Sequence, residues 1–237
     1  MNSEWLTRSA LLLGEDRMRR LAEKHVCVVG LGGVGAYAAE MICRTGIGEL
    51  TIIDGDTVSP SNINRQLPAL HSTMGQLKAN VLAARFTDIA PDLKLHVIGR
   101  YMTADDIAAL FDANCFDFVV DAIDTLAPKI ELIGRAYADR IPLISAMGAG
   151  GKTDPSQITI TDISKTYQCA LSKVVRKRLK EKGIVKGVPV VFSPEIVKKE
   201  SVVLTEGEPN KRSTVGTVAY LPAIFGCYMA SYVIQNI

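Results

Sequence analysis

Short apolar runs rich in valine and isoleucine alternate along this chain with longer stretches whose apolar residues return every three or four positions. The first pattern is that of buried strands, the second that of helices packed against them. The runs fall at Val26–Val29, Glu49–Ile53, Lys94–Ile98, Phe116–Val120, Pro142–Ser145 and Gln157–Ile163. Helical spacing is expected over 3–22 (interrupted at Gly14), 34–44, 75–86, 103–111 and 126–139. Through the sixth run the order reads strand and helix in repetition, which predicts a parallel sheet core with right-handed crossovers. Beyond Lys165 the character changes. A basic helical stretch occupies 172–186, a strand Val188–Phe192, and a polar loop 193–213 that reads as mobile with a short strand at Val202–Leu204. A closing helix is expected over 217–235.

These elements predict an α/β chain: a Rossmann-like, mostly parallel sheet with helices on both faces, plus a C-terminal lobe extending the sheet. Residues 1–237 read as one domain, with a nucleotide-binding core over 1–165, a basic helix and mobile substrate lobe over 166–213, and a C-terminal helix over 214–237. Residues 213–237 carry no charged side chain, a length that could span a bilayer. Pro222, Gly216, Gly226 and scattered hydroxyls favour instead a helix buried on the sheet, with peripheral membrane association a secondary candidate.

The first strand runs into V-C-V-V-G-L-G-G-V-G, where Gly30, Gly32 and Gly35 stand in G-x-G-x-x-G register and Gly33 is an extra glycine inside it. Positions without side chains let a backbone approach a phosphate chain, and the following helix N-terminus supplies free amides. Asp54 closes the second strand about twenty residues further on, where an acid can take a ribose hydroxyl pair. Asp54-Gly55-Asp56 also reads as a strand-end turn, but the glycine loop upstream favours the ribose role. A long polar loop then gathers Asn62, Asn64, Arg65 and Gln66, and Lys78 stands in the first turn of the next helix. A guanidinium fork and an ammonium are the two cations that neutralise phosphoryl oxygens. Asp121 and Asp124 lie past the fourth strand, where parallel sheets place ligands, and either could hold magnesium beside phosphate. Asp124-Thr125 also reads as the cap of the helix that follows.

Net charge is only +2, too small to indicate nucleic acid by itself. Its distribution is more telling: Lys173, Arg176, Lys177, Arg178, Lys180, Lys182 and Lys186 are opposed locally only by Glu181. Such a stripe can track a phosphate backbone. The five cysteines form no C-x-x-C pair, which argues against a paired-cysteine zinc site and suits a reducing cytoplasm. The N-terminus carries no signal-peptide pattern. Cys169 has no histidine beside it in sequence, and reads as a plain small residue.

Taken together, G-L-G-G-V-G (30–35), D-G-D-T-V-S-P-S-N-I-N-R-Q (54–66), Lys78 and D-A-I-D (121–124) resemble the ThiF/MoeB-type adenylyltransferases, bacterial relatives of ubiquitin-activating enzymes. Within that superfamily, R-S-A-L-L-L-G (8–14), G-A-G-G-K-T-D-P (148–155) and the basic helix look like the branch that dehydrates threonylcarbamoyladenosine in tRNA. The resemblance implies ATP and Mg²⁺ as cofactors and activation of a carboxylate as an acyl adenylate. It implies that the loop at Gly30, Gly32, Gly33 and Gly35 holds phosphate, Asp54 (with Asp56 beside it) the ribose, Arg65 and Lys78 the phosphate tail, and Asp124 the metal. Asn62 and Gln66 would shape the loop. Arg8 matches an arginine that reaches into a partner subunit's site, so a homodimer is implied. tRNA on the basic helix 173–186 is the implied partner and DNA is not; a sulfur-delivery or sulfur-acceptor protein is a further candidate. On the same residues the alternative function is an adenylating activator of a ubiquitin-like sulfur carrier. A nicotinamide-binding protein or a non-enzymatic nucleotide sensor is the third reading.

Overall fold

The computed structural model describes residues 4–204 and 213–237. The lead-in stretch forms two helices, α1 (Thr7–Leu13) and α2 (Glu15–Ala22), with the break at Gly14. Then come β1 (His25–Val29), α3 (Gly35–Arg44), β2 (Glu49–Ile53), α4 (Lys78–Ile89), β3 (Lys94–Ile98), α5 (Ala104–Ala113), β4 (Phe118–Asp121), α6 (Leu126–Ala138) and β5 (Leu143–Ala146). The second half holds β6 (Thr159–Asp162), α7 (Ala170–Glu181), β7 (Pro189–Phe192), β8 (Val202–Leu204), β9 (Ser213–Val215) and α8 (Tyr220–Asn236).

Seven strands form one sheet in the order β3-β2-β1-β4-β5-β7-β6, and β8 pairs with β9 apart from it. The β1 side chains alternate between two cores, as period-2 geometry requires. Val26 and Val28 pack with α3, α4 and α8; Cys27 and Val29 pack with α5, α6 and α7. Helices therefore cover both faces, as expected. Strand order reverses direction at β1 and β4, which opens a crevice at their carboxyl ends.

The sheet departs from the expected pattern at one edge. β6 runs antiparallel to β7, with Thr159 opposite Phe192 and Asp162 opposite Pro189. Only a single 3-10 turn, Pro155–Gln157, and no α-helix connects β5 to β6, too short for a parallel crossover. β7, reached only after α7, takes the place beside β5 and pairs parallel with it.

The expected end of the basic helix also needs correction: it stops at Glu181, not at 186. Gly183 donates to the Lys180 carbonyl and Ile184 to that of Leu179, and Ile184 turns back into the core, the bonding of a helix C-terminal motif. The closing helix begins at Tyr220, later than expected, because residues before it are held extended. Ser213–Val215 pair with β8, and Gly216 donates to Ser201 while accepting from Gly151. Of the loop expected over 193–213, residues 205–212 lie outside the described residues. The uncharged C-terminal segment is explained by burial: Leu221, Phe225, Met229 and Val233 pack into the core against α3. Among the described residues no helix is long and apolar enough to cross a membrane.

Beneath the crevice lies an ion pair with no solvent exposure on either side chain. Lys129 Nζ stands 2.8 Å from Asp121 Oδ2, which also accepts from Ser145 Oγ at 2.6 Å. Lys129 donates further to the Ile123 carbonyl at 2.9 Å, and Ile123 N–H donates to Asp121 Oδ1 at 3.2 Å. β4, β5, α6 and the loop carrying Asp124 are thereby tied at one point. Breaking a buried pair leaves a lone buried charge, at a cost of about 3–5 kcal/mol. Lys129→Ala should destabilise the fold by about that amount in urea unfolding. Removing both charges with Asp121→Asn and Lys129→Met should recover part of the loss, because no uncompensated charge remains.

Candidate active site

The glycine turn brings the strand end and the helix start closer than side chains would permit. A Cβ on Gly35 would lie 1.8 Å from the Gly30 carbonyl oxygen, and one on Gly30 would lie 2.6 Å from that of Ala122. Gly30 also has φ +90°, a conformation that favours glycine. The turn thus seats α3 against the ends of β1 and β4. At the α3 N-cap, Val34 offers no side-chain cap; the Ala36 amide donates to the Gly32 carbonyl at 3.3 Å, and the Gly35 and Tyr37 amides of that turn are left for an outside acceptor.

The loop after β2 closes over this turn. Asp54 accepts from the Leu31 amide at 2.6 Å and the Asp56 amide at 2.7 Å, which fixes its carboxylate at the crevice. Burial pushes its pKa up, against the pull of these bonds and of Lys78. Asn62 Oδ1 accepts from Ser59 N–H at 3.1 Å, and its carbonyl accepts from the amides of Arg65 and Gln66. Asn62 therefore shapes the loop and lies buried beneath it. This arrangement delivers Arg65 across the glycine turn, its Cγ 3.4 Å from where a Cβ on Gly33 would be. Arg65 Nη1 donates to the Ser61 carbonyl and to Asn64 Oδ1, each at 2.8 Å. Burial lowers the Arg65 pKa, and the charge of Asp124 opposes that.

Lys78 is buried at the start of α4, and its Nζ lies 2.7 Å from Asp56 Oδ2. The other Asp56 oxygen accepts from the Tyr101 hydroxyl at 2.5 Å, a bond that pushes the phenol up to about 12. Asp124 is exposed, and among the described residues its carboxylate makes no hydrogen bond or ion pair. Thr125, not Asp124, occupies the N-cap of α6, and no side chain caps that helix, so the cap reading is corrected. Asp121 is consumed by Lys129 and is not placed to meet a ligand.

Gly30, Gly32, Gly33, Gly35, Asp54, Asp56, Asn62, Arg65, Gln66, Lys78 and Asp124 thus gather at the carboxyl end of β1, β2 and β4. Arg8 stands apart, exposed on α1 beside Leu11 and Leu12, which are 82% and 84% exposed. Sequence reasoning missed Tyr101, an exposed loop residue with no pattern around it. It also missed Lys152, a buried lysine within the small-residue run after β5. Lys152 Nζ donates to the carbonyls of Ser193 and Glu195, joining the loops after β5 and β7. Burial lowers its pKa, and the nearby Cys169 and Glu195 act in the opposite direction. Cys169 is buried, its Sγ 3.7 Å from a Cβ placed on Gly148.

One polar atom tests whether a nucleotide suits this crevice. Gln66 Oε1 is buried and has no hydrogen-bond partner, while its Nε2 lies 3.8 Å from the position of a Cβ on Gly32. A buried acceptor left unpaired costs roughly 1–3 kcal/mol, so a ligand hydroxyl or amine that donates to it gains that much in binding, whereas a phosphate oxygen, itself an acceptor, does not. Oxygen donors are present for a divalent ion as well, since magnesium takes one or two carboxylates alongside phosphate. Gln66→Leu should leave unliganded stability unchanged or raise it by up to ~1 kcal/mol in thermal unfolding. The same change should weaken ATP binding by about tenfold in calorimetric titration.

A profile of the ThiF family matches residues 6–237. The chain is 38% identical to tRNA threonylcarbamoyladenosine dehydratase of Bacillus subtilis, over 98% of this chain and 93% of that protein. It is 43% identical to the Escherichia coli protein of the same name, over 79% of this chain and 72% of that one. The crystal structure of the E. coli dehydratase in complex with ATP is similar at a TM-score of 0.88 and 36% identity, covering 98% of this chain and 93% of that chain.

Proposed function

The chain belongs to the ThiF family, and from that premise we propose that it is an ATP-dependent tRNA threonylcarbamoyladenosine dehydratase. The carrying observation is the convergence of Arg65, Lys78, Asp56 and Asp124 around the glycine turn. Identity to proteins of that name, 38% over 98% of this chain and 43% over 79% of it, supports the choice of substrate. The sulfur-carrier alternative rests on more distant relatives and gains no separate support from the site.

In this reading ATP enters the crevice with its ribose at Asp54. The amides of the glycine turn and the α3 N-terminus hold phosphate oxygens, as a helix start does for anions. Arg65 and Lys78 face the phosphate tail. Asp124, with Asp56 close by, would hold Mg²⁺, which when bound neutralises phosphate charge. The threonyl carboxylate of the modified adenosine attacks the α-phosphorus, forming an O–P bond as the bond to pyrophosphate breaks. The carbamoyl group on the same substrate then attacks the activated acyl carbon, and AMP leaves with the carboxylate oxygen. The nucleophile is already tethered to the acyl group, so no enzyme nucleophile is needed; well-oriented intramolecular groups gain effective molarities of roughly 10⁵–10⁸ M. Cys169 has no role in this sequence. Arg65 and Lys78 act at the first step, where charge builds on the phosphoryl oxygens.

tRNA meets the chain on α7. Ser172, Val175 and Leu179 face the core, and Lys173, Lys177 and Lys180 face solvent. With Arg176, these three lysines line a cavity of about 420 Å³ that Ile163, Ser164, Ile184 and Val185 complete. The exposed Leu11 and Leu12 around Arg8 suit a second copy of the chain, which would take Arg8 to its neighbour's site.

Pyrophosphate release from ATP, measured with tRNA carrying threonylcarbamoyladenosine, tests the reaction directly. Arg65→Ala and Asp124→Asn should each slow it by on the order of 10²–10³, the usual cost of losing one preorganised charge at a transition state. Absence of release by the unmodified chain with that tRNA would overturn the reading. Replacing Lys173, Lys177 and Lys180 together by alanine should weaken tRNA binding while leaving ATP affinity unchanged. Filter binding across a salt series should show the logarithmic slope reduced by about two to three, one phosphate contact per lysine.

A further inference from the structure

At the opposite end of the sheet from the nucleotide crevice, three parallel strands place polar side chains side by side. His25 is opposite Glu49 in the β1–β2 register, and Glu49 is opposite Lys94 in the β2–β3 register. Two residues on, Cys27 is opposite Thr51 and Thr51 opposite His96. Period-2 geometry puts all six on one face. From this patch the imidazoles of His25 and His96 converge on one carboxylate oxygen. His25 Nδ1 lies 3.5 Å from Glu49 Oε1, and His96 Nε2 lies 2.7 Å from the same atom. One ligand atom from each of the three residues falls within 4.8 Å of the others.

The surroundings match what a metal-binding histidine has around it. His25 Nε2 is 2.8 Å from Thr51 Oγ1, which leaves Nδ1 to face the cluster centre. Ligating histidines are commonly oriented in this way, through a hydrogen bond at the nitrogen that does not bind. Phe116 holds the His25 ring edge-on, with centroids 4.8 Å apart. His25 is nearly buried, Glu49 is a quarter exposed and His96 is 41% exposed, so the cluster is walled on one side and open on the other. Lys94 Nζ sits 2.9 Å from Glu49 Oε1, but its side chain is 66% exposed and can swing into water.

We propose that His25, Glu49 and His96 form a binding site for zinc or a similar first-row divalent ion, clamping β1, β2 and β3 at their amino ends. Two imidazoles and one carboxylate with an open fourth position form a ligand set that zinc takes. Tetrahedral nitrogen and oxygen ligands sit roughly 3.4 Å apart around zinc, so the His25–Glu49 separation of 3.5 Å already fits, the His96–Glu49 separation of 2.7 Å must open, and no pair, all lying within 4.8 Å, has far to move. Glu49 and His96, the exposed members, make that adjustment by side-chain rotation. The β1 strand places this site ~16 Å from the glycine turn at its other end, so it is independent of nucleotide binding.

Calorimetric titration of zinc chloride into EDTA-stripped full-length chain tests the proposal. One zinc should bind per chain at micromolar affinity or better. Cobalt in its place should give visible ligand-field absorption without a thiolate charge-transfer band, which separates this site from the exposed Cys115 and Cys227. His96→Ala and Glu49→Gln should each weaken binding on the order of a hundredfold. ATP binding by both variants should match the unmodified chain, which also reports that they fold. If Glu49→Gln loses its fold, His96→Ala decides alone, since His96 is exposed on an edge strand. No zinc binding, a thiolate band with cobalt, or unchanged affinity in a folded variant overturns the proposal.

Discussion

The structure depends on a backbone approach that only bare Cα positions permit. Gly35 lies against the Gly30 carbonyl, and Gly30 lies against Ala122. Those contacts bring the start of α3 over the point where β1 and β4 part company in the strand order. A methyl group at either position would lift the helix off the strand ends and remove the anion-binding amides from the crevice. The buried Asp121–Lys129 pair supports the same point from below, because it holds the loop between β4 and α6 to β5. A costly ionic arrangement in the core is thus placed where the loop must not drift: three residues beyond Asp121 stands Asp124.

Much of this was legible in the chain. Strands β1 and β2 are mostly apolar, β-branched runs bounded by turn residues, and burial in the sheet demands that pattern, while β3 at the sheet edge carries it only in part. The spacing from the glycine turn through Asp54, Arg65 and Lys78 to Asp124 places those groups together because each follows the carboxyl end of a strand. What stayed hidden has physical reasons. The direction of β6 depends on a connection before it that holds no α-helix and on β7 arriving later, which no local pattern encodes. Lys129 lies in a helix whose spacing reads like any amphipathic one, so its burial emerges only when β4 supplies the carboxylate. Tyr101 gains its partner across 45 residues of sequence. Gln66 looked like a loop-shaping residue, and only three dimensions reveal that its acceptor is unpaired.

The crevice is not a simple pool of positive charge. Lys78 is paired with Asp56, Asp56 is shared with Tyr101, and Arg65 feels the charge of Asp124. Without ligand these pairings keep buried or half-buried cations from standing alone, which would be expensive in a crevice of low dielectric. A polyphosphate offers the cations oxygens that carry more charge than one carboxylate, so it can displace the acids from them. The displaced carboxylates then stand beside the phosphates, and two like charges there would repel. A divalent ion held at Asp124, as proposed above, would remove that repulsion. A nucleotide lacking its metal should find the same crevice electrostatically hostile, with cations satisfied only at the expense of exposing carboxylates to phosphate.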